Sequence, residues 1–381
     1  MMSIVYLLPV LLILQIRHAN AETYKCTVES HGPKGEEYCV FRNVQFFRNT
    51  TEISFSSPDG VAQPNRVVFL NSTMVHIPRE FIEVFGSELT VLKVEQCQLR
   101  SVTITAKMVA LYARNNYIDK VIVHQSGANP VLEELDLSAN RLENVQNITR
   151  FQKLKLVNLS SNENLADSMT LDFSLFNKLD DLRELFLSDV GAFYLLNTKD
   201  AKLRSLEVLD LSRNTLLSAD LRIDIFYAFE KLHTLKLNDN DMDQIDYPQL
   251  LELKSLKTIY LNGNSFPCRY LEVMLKYLHE NNIATPSERH SNCQSHLQEV
   301  DGMCCKYTIP IPVTPYTPKP GATSLPGTTE RSDLEPHSEQ MPPADGDGGS
   351  GLTWGISIVV VLILIAAAAV GFIVYRKRSR S

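Results

Sequence analysis

The 381-residue chain lacks any excess of basic charge: 37 Lys and Arg stand against 44 Asp and Glu, a net charge of −7. That excludes the broad positive surface that nucleic-acid binding requires, so no nucleic acid is expected as a partner. The short motifs of catalysis are missing too. There is no G-x-S-x-G, no H-E-x-x-H and no phosphate-binding glycine loop. His76, His124 and His233 fall in separate stretches and form no constellation. Neither an enzyme, a metal centre nor a cofactor is expected. Residues 307–351 contain few large apolar side chains and no heptad pattern. That stretch cannot bury enough surface to fold by itself, and it supplies no coiled coil. Its Pro, Thr, Ser and Gly content predicts an O-glycosylated stalk.

What the chain has instead is a repeat. Leu132-Glu-Glu-Leu135-Asp-Leu137-Ser-Ala-Asn140-Arg-Leu142 reads L-x-x-L-x-L-x-x-N-x-L, and the pattern returns with Asn214, Asn240 and Asn264 at the asparagine position. Looser copies place Ser72, Cys97, Asn116, Asn162 and Val190 there, and successive copies are 25, 19, 24, 22, 28, 24, 26 and 24 residues apart. Period and residue type together define a leucine-rich repeat. One such unit cannot bury its apolar face alone. Stacked units bury a continuous core and lay a parallel sheet along one side. The expected fold is an α/β leucine-rich-repeat solenoid of about nine repeats, with strands centred near residues 68, 93, 112, 136, 158, 186, 210, 236 and 260. Phe173-x-x-Phe176-x-x-Leu179-x-x-Leu182 and Phe226-x-x-Phe229-x-x-Leu232 read as the packed backs of two repeats.

The two ends predict the compartment. Ile4 to Ile16 is almost wholly apolar and leads to Ala19-Asn20-Ala21. This is the pattern of a secretory signal peptide over 1–21, although no basic residue precedes the apolar run. Trp354 to Tyr375 holds 22 residues with no charge, enough to cross a hydrocarbon core of about 30 Å as a helix. Arg376-Lys377-Arg378 follows directly, which predicts a cytoplasmic C-terminus. The expectation is a single-pass type I plasma-membrane protein with its repeats outside the cell and a tail over 376–381. That tail is too short for a signalling domain, so signalling would require a membrane co-receptor.

Between those ends the expected order is an N-terminal cap over 22–60, repeats over 61–267, a cysteine cap over 268–306 and then the stalk. Cys26 and Cys39 precede the repeats and can close one loop. Cys268, Cys293, Cys304 and Cys305 follow them. In an oxidising compartment an even set of six forms disulfides. A bridge between the adjacent Cys304 and Cys305 is disfavoured, so both are expected to bond back to Cys268 and Cys293, in either pairing, unless one reaches another chain. Zinc at Cys293-Gln-Ser-His296 is the minor alternative. Cys97 sits at an inward asparagine position and is expected to be a free, buried thiol. Tyr270-Leu271, Met274-Leu275 and Leu278 recur at helical spacing and predict a helix lying across the last repeat. N-glycosylation sequons begin at Asn49, Asn71, Asn147 and Asn158.

Side chains flanking the inward leucines point out of the sheet. That outward column reads Val68, Lys93, Tyr112, Asp136, Asn158, Phe186, Asp210, Lys236 and Tyr260, with Arg114, Glu134, Glu184, Asp189 and Arg213 in neighbouring columns. Exposed aromatics beside mixed charge are typical of interface anchors. Tyr112, Arg114, Asp136, Phe186, Asp210, Lys236 and Tyr260 are therefore the candidate ligand-binding residues, with the three aromatics as anchors. Each is also an ordinary position on a soluble strand, so the column carries the expectation more than any single residue.

The cap Cys26…Tyr38-Cys39-Val40-Phe41-Arg42-Asn43-Val44, the atypical repeats and the doublet Cys304-Cys305 resemble the mosquito leucine-rich-repeat immune proteins, and with the predicted span their transmembrane branch. The resemblance runs from about Tyr24 to Lys306. It implies innate-immune recognition, with an extracellular protein or glycan as ligand and a complement-like thioester protein as a possible partner. The chain departs from soluble members of that family, which carry a C-terminal coiled coil. A cell-adhesion or developmental protein of the extracellular leucine-rich-repeat type shares the same architecture and is the alternative.

Overall fold

A computed structural model describes residues 22–31, 35–47, 53–58, 64–123, 131–287 and 293–307. The expected signal peptide, stalk, membrane span and tail, and the Asn49 sequon, lie outside the described residues. Among those described, no helix is long and apolar enough to cross a membrane.

The frame is one eleven-stranded sheet. In chain order its strands are β1 (Thr27–His31), β2 (Glu36–Arg42), β3 (Arg66–Leu70), β4 (Val91–Lys93), β5 (Ala110–Tyr112), β6 (Glu134–Asp136), β7 (Leu156–Asn158), β8 (Glu184–Phe186), β9 (Val208–Asp210), β10 (Thr234–Lys236) and β11 (Thr258–Tyr260). From β2 onward every neighbour is parallel, while β1 and β2 form an antiparallel hairpin. The last nine strands fall at the positions that the repeat spacing predicts. The first two are additional. Cys39 and Phe41 alternate inward on β2, and Cys39 pairs in register with Val67. The parallel sheet thus begins inside the stretch read as a cap over 22–60, before the first recognisable repeat.

Register explains the core. Leu92, Leu111, Leu135, Val157, Leu185, Leu209, Leu235 and Ile259 align across successive strands, and each is fully buried. Burying one such side chain contributes roughly 1.5–3 kcal/mol, so a file of them holds the stack together. Behind them lie short 3₁₀ turns such as Phe173–Phe176 and Ile223–Ala228. Their rings meet, with the Phe173 and Phe226 centroids 6.1 Å apart, and Phe229 just beyond the second turn lies 5.3 Å from Phe173.

The asparagine position joins one coil to the next. The Asn140 side-chain amide donates to the carbonyls of Ala113 and Leu137, while its oxygen accepts from the Ile118 amide of the preceding coil. Asn116, Asn162, Asn214, Asn240 and Asn264 repeat this bonding. Tight turns leave backbone groups without strand partners, and the carboxamide satisfies both kinds at once. The residue just before this position is left-handed in coil after coil: Gln96, Asn115, Ala139, Ser161, Asp189, Arg213, Asp239 and Gly263 all have positive φ. Ser72 keeps part of the arrangement, accepting from the Val44 amide and donating to the Leu70 carbonyl. Cys97 is buried and unbridged, and burial pushes its thiol pKa up to about 12.

Both ends of the stack are closed. At the N-terminal end Cys26 bonds to Cys39, and Phe41, Phe55, Phe69, Phe81 and Phe85 pack ring against ring. Phe81 and Phe85 come from a short helix, α1 (Arg79–Phe85). At the C-terminal end α2 (Cys268–Glu280) buries Leu271, Met274, Leu275 and Leu278. The Ile259 amide donates to the Ala284 carbonyl, which occupies the last strand's outer edge. Cys268 pairs with Cys305 and Cys293 with Cys304. Met303–Lys306 forms an antiparallel hairpin with Leu297–Val300, and alternation along it sends Cys304 and Cys305 in opposite directions. The adjacent cysteines therefore bond to two different partners rather than to each other.

Candidate recognition face

Every outward position on the sheet is set by the residue beside it that turns inward. Tyr112, Asp136, Asn158, Phe186, Asp210, Lys236 and Tyr260 therefore form one register-matched row across seven strands. The row is not uniform, and the structure divides it into two clusters.

Toward the N-terminal end the face is apolar. Tyr38, Val40, Val68, Val91 and Ala110 are buried together, with Tyr112 packed against them. The Lys93 ammonium lies 4.7 Å from the Tyr38 ring centroid and 5.4 Å from that of Tyr112. Such cation–π contacts contribute about 0.5–1 kcal/mol where exposed and more where desolvated. The Tyr112 hydroxyl donates to the Glu134 carboxylate. Burial and that carboxylate both raise the Tyr112 pKa, because each disfavours the phenolate. Arg114 stands apart from the ring cluster, 3.6 Å from Glu95 and largely exposed. Tyr38 was not among the sequence candidates. Its signal was present, since it flanks the inward Cys39 in a strand that the repeat pattern did not reach.

Toward the C-terminal end Phe186, Asp210, Lys236 and Tyr260 come together around one ammonium. Lys236 Nζ is 3.1 Å from Asp210 Oδ2, 5.5 Å from the Phe186 ring centroid and 5.8 Å from that of Tyr260. The other carboxylate oxygen of Asp210 accepts from both the amide and the hydroxyl of Ser212. Asp210 is thus buried with both oxygens engaged, and its role is to hold Lys236 between two aromatic rings. Asp136 makes the same turn with Ser138 but has no cation on its second oxygen among the described residues. The Asn158 side chain is spent partly on the amide of Ser160.

Of the other sequons, Asn71 is exposed at a left-handed turn beside this face. The Asn147 side-chain nitrogen donates to the Val121 carbonyl, 2.9 Å away. Lys178 is exposed and belongs to the opposite, phenylalanine-packed side.

A parallel sheet bonded coil to coil through an asparagine ladder, with one face of half-buried rings and held charges, defines a leucine-rich-repeat protein. No family model matches the sequence. Tsukushi of Gallus gallus is 32% identical over 151 residues, which is 39% of this chain and 39% of that protein, so the similarity spans well under half of either. Among solved structures, the leucine-rich-repeat domain of APL1B is 19% identical, covering 71% of this chain and 86% of that one at a TM-score of 0.45. The leucine-rich-repeat domain of LRIM1 is 17% identical, covering 64% and 76% at a TM-score of 0.44.

Proposed function

We propose that the outward face of the sheet binds an extracellular protein or glycoconjugate. We further propose that the chain serves in innate immunity as a receptor or co-receptor, held in the plasma membrane by residues 354–375 with its repeats outside the cell. The observation that carries this reading is the C-terminal cluster. Phe186, Lys236 and Tyr260 are half-exposed and already gathered, the cation paired with Asp210 and lying 5.5 and 5.8 Å from the two ring centroids. Pre-organised aromatic and cationic side chains lose little freedom on binding, and such residues dominate interface energies. The immune role rests on the resemblance of the cap cysteines and repeats. A complement-like thioester protein is one partner that this resemblance suggests.

The test displays the full chain on cells and measures binding of labelled extracellular proteins and glycans. Phe186→Ala, Tyr260→Ala and Tyr112→Ala are compared with Lys178→Ala. A truncated anchor is expected to lose about thirtyfold in affinity, from about 2 kcal/mol per hot-spot ring, while the Lys178 variant binds like the parent. Full binding by all three aromatic variants would remove the sheet face as the site.

A further inference from the structure

Beside the Lys236 cluster the sheet face dips into a hollow of about 370 Å³, floored by the turns that follow β9, β10 and β11 and walled by Pro286 and Ser287. That volume lies at the small end of the range for small-ligand sites, about 300–1,000 Å³. It is too small to take a folded surface and large enough for one or two rings.

The lining chemistry selects among small ligands. Two cations, Arg213 and Lys236, face two carboxylates, Asp210 and Asp239, so the hollow carries no net charge. Net charge therefore favours neither an anion such as a phosphate or sulfate nor a cation. Most of the remaining lining is amide and hydroxyl, which disfavours a lipid chain. Mixed donors and acceptors in a neutral setting match a ligand whose groups each donate and accept. A neutral saccharide has that property, and the Tyr260 ring supplies apolar surface for the C–H face of a sugar.

The groups are held rather than free. Arg213 Nε donates to Ser188 Oγ at 3.1 Å, and Asn238 donates to Asp239 at 2.7 Å. Asn262 is the exception: its side-chain amide has no hydrogen-bond partner among the described residues, leaving a donor and an acceptor open to the hollow. Gly263 carries a second sign of construction. Eight other coils, from Asn71 to Asp239, carry a side chain at this left-handed position, so φ alone does not require glycine there. A Cβ on Gly263 would lie 2.0 Å from Asp239 Oδ1 and 3.1 Å from the Asp239 Cα. Glycine is what lets Asp239 stand over the hollow.

We infer that this hollow is a binding site for a neutral saccharide, read by Arg213, Asn238, Asp239 and Asn262 against the Tyr260 ring. The inference deepens the proposed function and rests on the sheet face being the recognition face.

The test is isothermal titration of the purified full chain, in a detergent without a sugar head group. The probes are two- to four-residue oligomers of glucose, mannose and N-acetylglucosamine, with a sulfated heparin disaccharide alongside. At least one neutral oligomer is expected to bind at one site per chain. Asn262→Ala and Arg213→Ala should each weaken it by tenfold or more, and Lys178→Ala should not. Gly263→Ala should weaken it too, but Asn262→Ala decides, because that half-exposed side chain holds nothing else in place. Failure of every neutral oligomer, undiminished binding by Asn262→Ala, or binding of the sulfated probe alone would each overturn the assignment. If the saccharides fail while the aromatic variants still lose the macromolecular partner, the hollow falls and the recognition face stands. If the saccharides bind while those variants keep the partner, the broader reading falls instead.

Discussion

Replacing Asn214 with Ala should weaken the stack more than the same change at Asn264, and the structure sets both sizes. The Asn214 oxygen accepts from the amides of Val190 and Ala192, each at 3.1 Å, and its nitrogen donates to the carbonyls of Leu187 and Leu211. Alanine makes none of these bonds. The Leu211 carbonyl still receives a bond from Asn240, so three backbone groups are left without partners in the buried interior. At about 1 kcal/mol for each orphaned group, the cost is roughly 3 kcal/mol. Asn264 accepts from one amide, that of Met242, and donates to Leu237 and Leu261. The Leu237 carbonyl keeps its bond from Asn240, so only two groups are orphaned. Asn264 is also half-exposed, so water reaches the vacated position. Its loss should cost about 1 kcal/mol. Against a domain stability of about 5–15 kcal/mol, these are separable effects. Urea unfolding followed by circular dichroism gives the difference in midpoint. Hydrogen exchange at Val190 and Ala192 reports the local opening, which should speed up in Asn214→Ala only. Equal costs for the two variants, or unchanged exchange at those amides, would refute the ladder accounting.

Leu211→Asp and Leu237→Asp each place an unpaired carboxylate at a fully buried position, and secretion of either variant should fall below a tenth of the parent on immunoblots of the medium; normal secretion would show that these side chains do not face inward. Cys97 should resist a thiol reagent at pH 8 in the folded chain and react fully in denaturant. Because its folded pKa is about 12 against 9.0 for a free thiol, the unfolded chain loses this proton first as pH rises. Stability should then decline between those values by up to about 1.4 kcal/mol per pH unit from this group, and Cys97→Ala should remove that component of the slope. Losing Cys268–Cys305, which spans 37 residues, should cost about 4 kcal/mol, and losing Cys293–Cys304, which spans 11, about 3 kcal/mol. Thermal unfolding of the paired Ser variants checks that order.

Much of the fold is legible in the residues because a repeat states the same local rule many times. L-x-x-L-x-L-x-x-N places nine strands, names which leucines turn inward and therefore which side chains turn out. Position relative to the repeats likewise sets the disulfide cysteines apart from Cys97. These features depend on short-range periodicity, which a chain carries in one dimension. Relations between coils are another matter. That β2 joins the parallel sheet, bringing Tyr38 beside Lys93, depends on register between a cap strand and the first repeat, and no repeat motif marks it. Whether Cys268 meets Cys304 or Cys305 depends on how a hairpin folds against α2. Asp210 reads in the column as free surface charge, yet it is buried, because the Lys236 and Ser212 that engage it lie on the next coil and the next turn. Gly263 looks like one more turn glycine until Asp239, 24 residues earlier in the sequence, is found standing over it. Each of these contacts joins side chains brought together by stacking, and their distances exist only once the coils are in register.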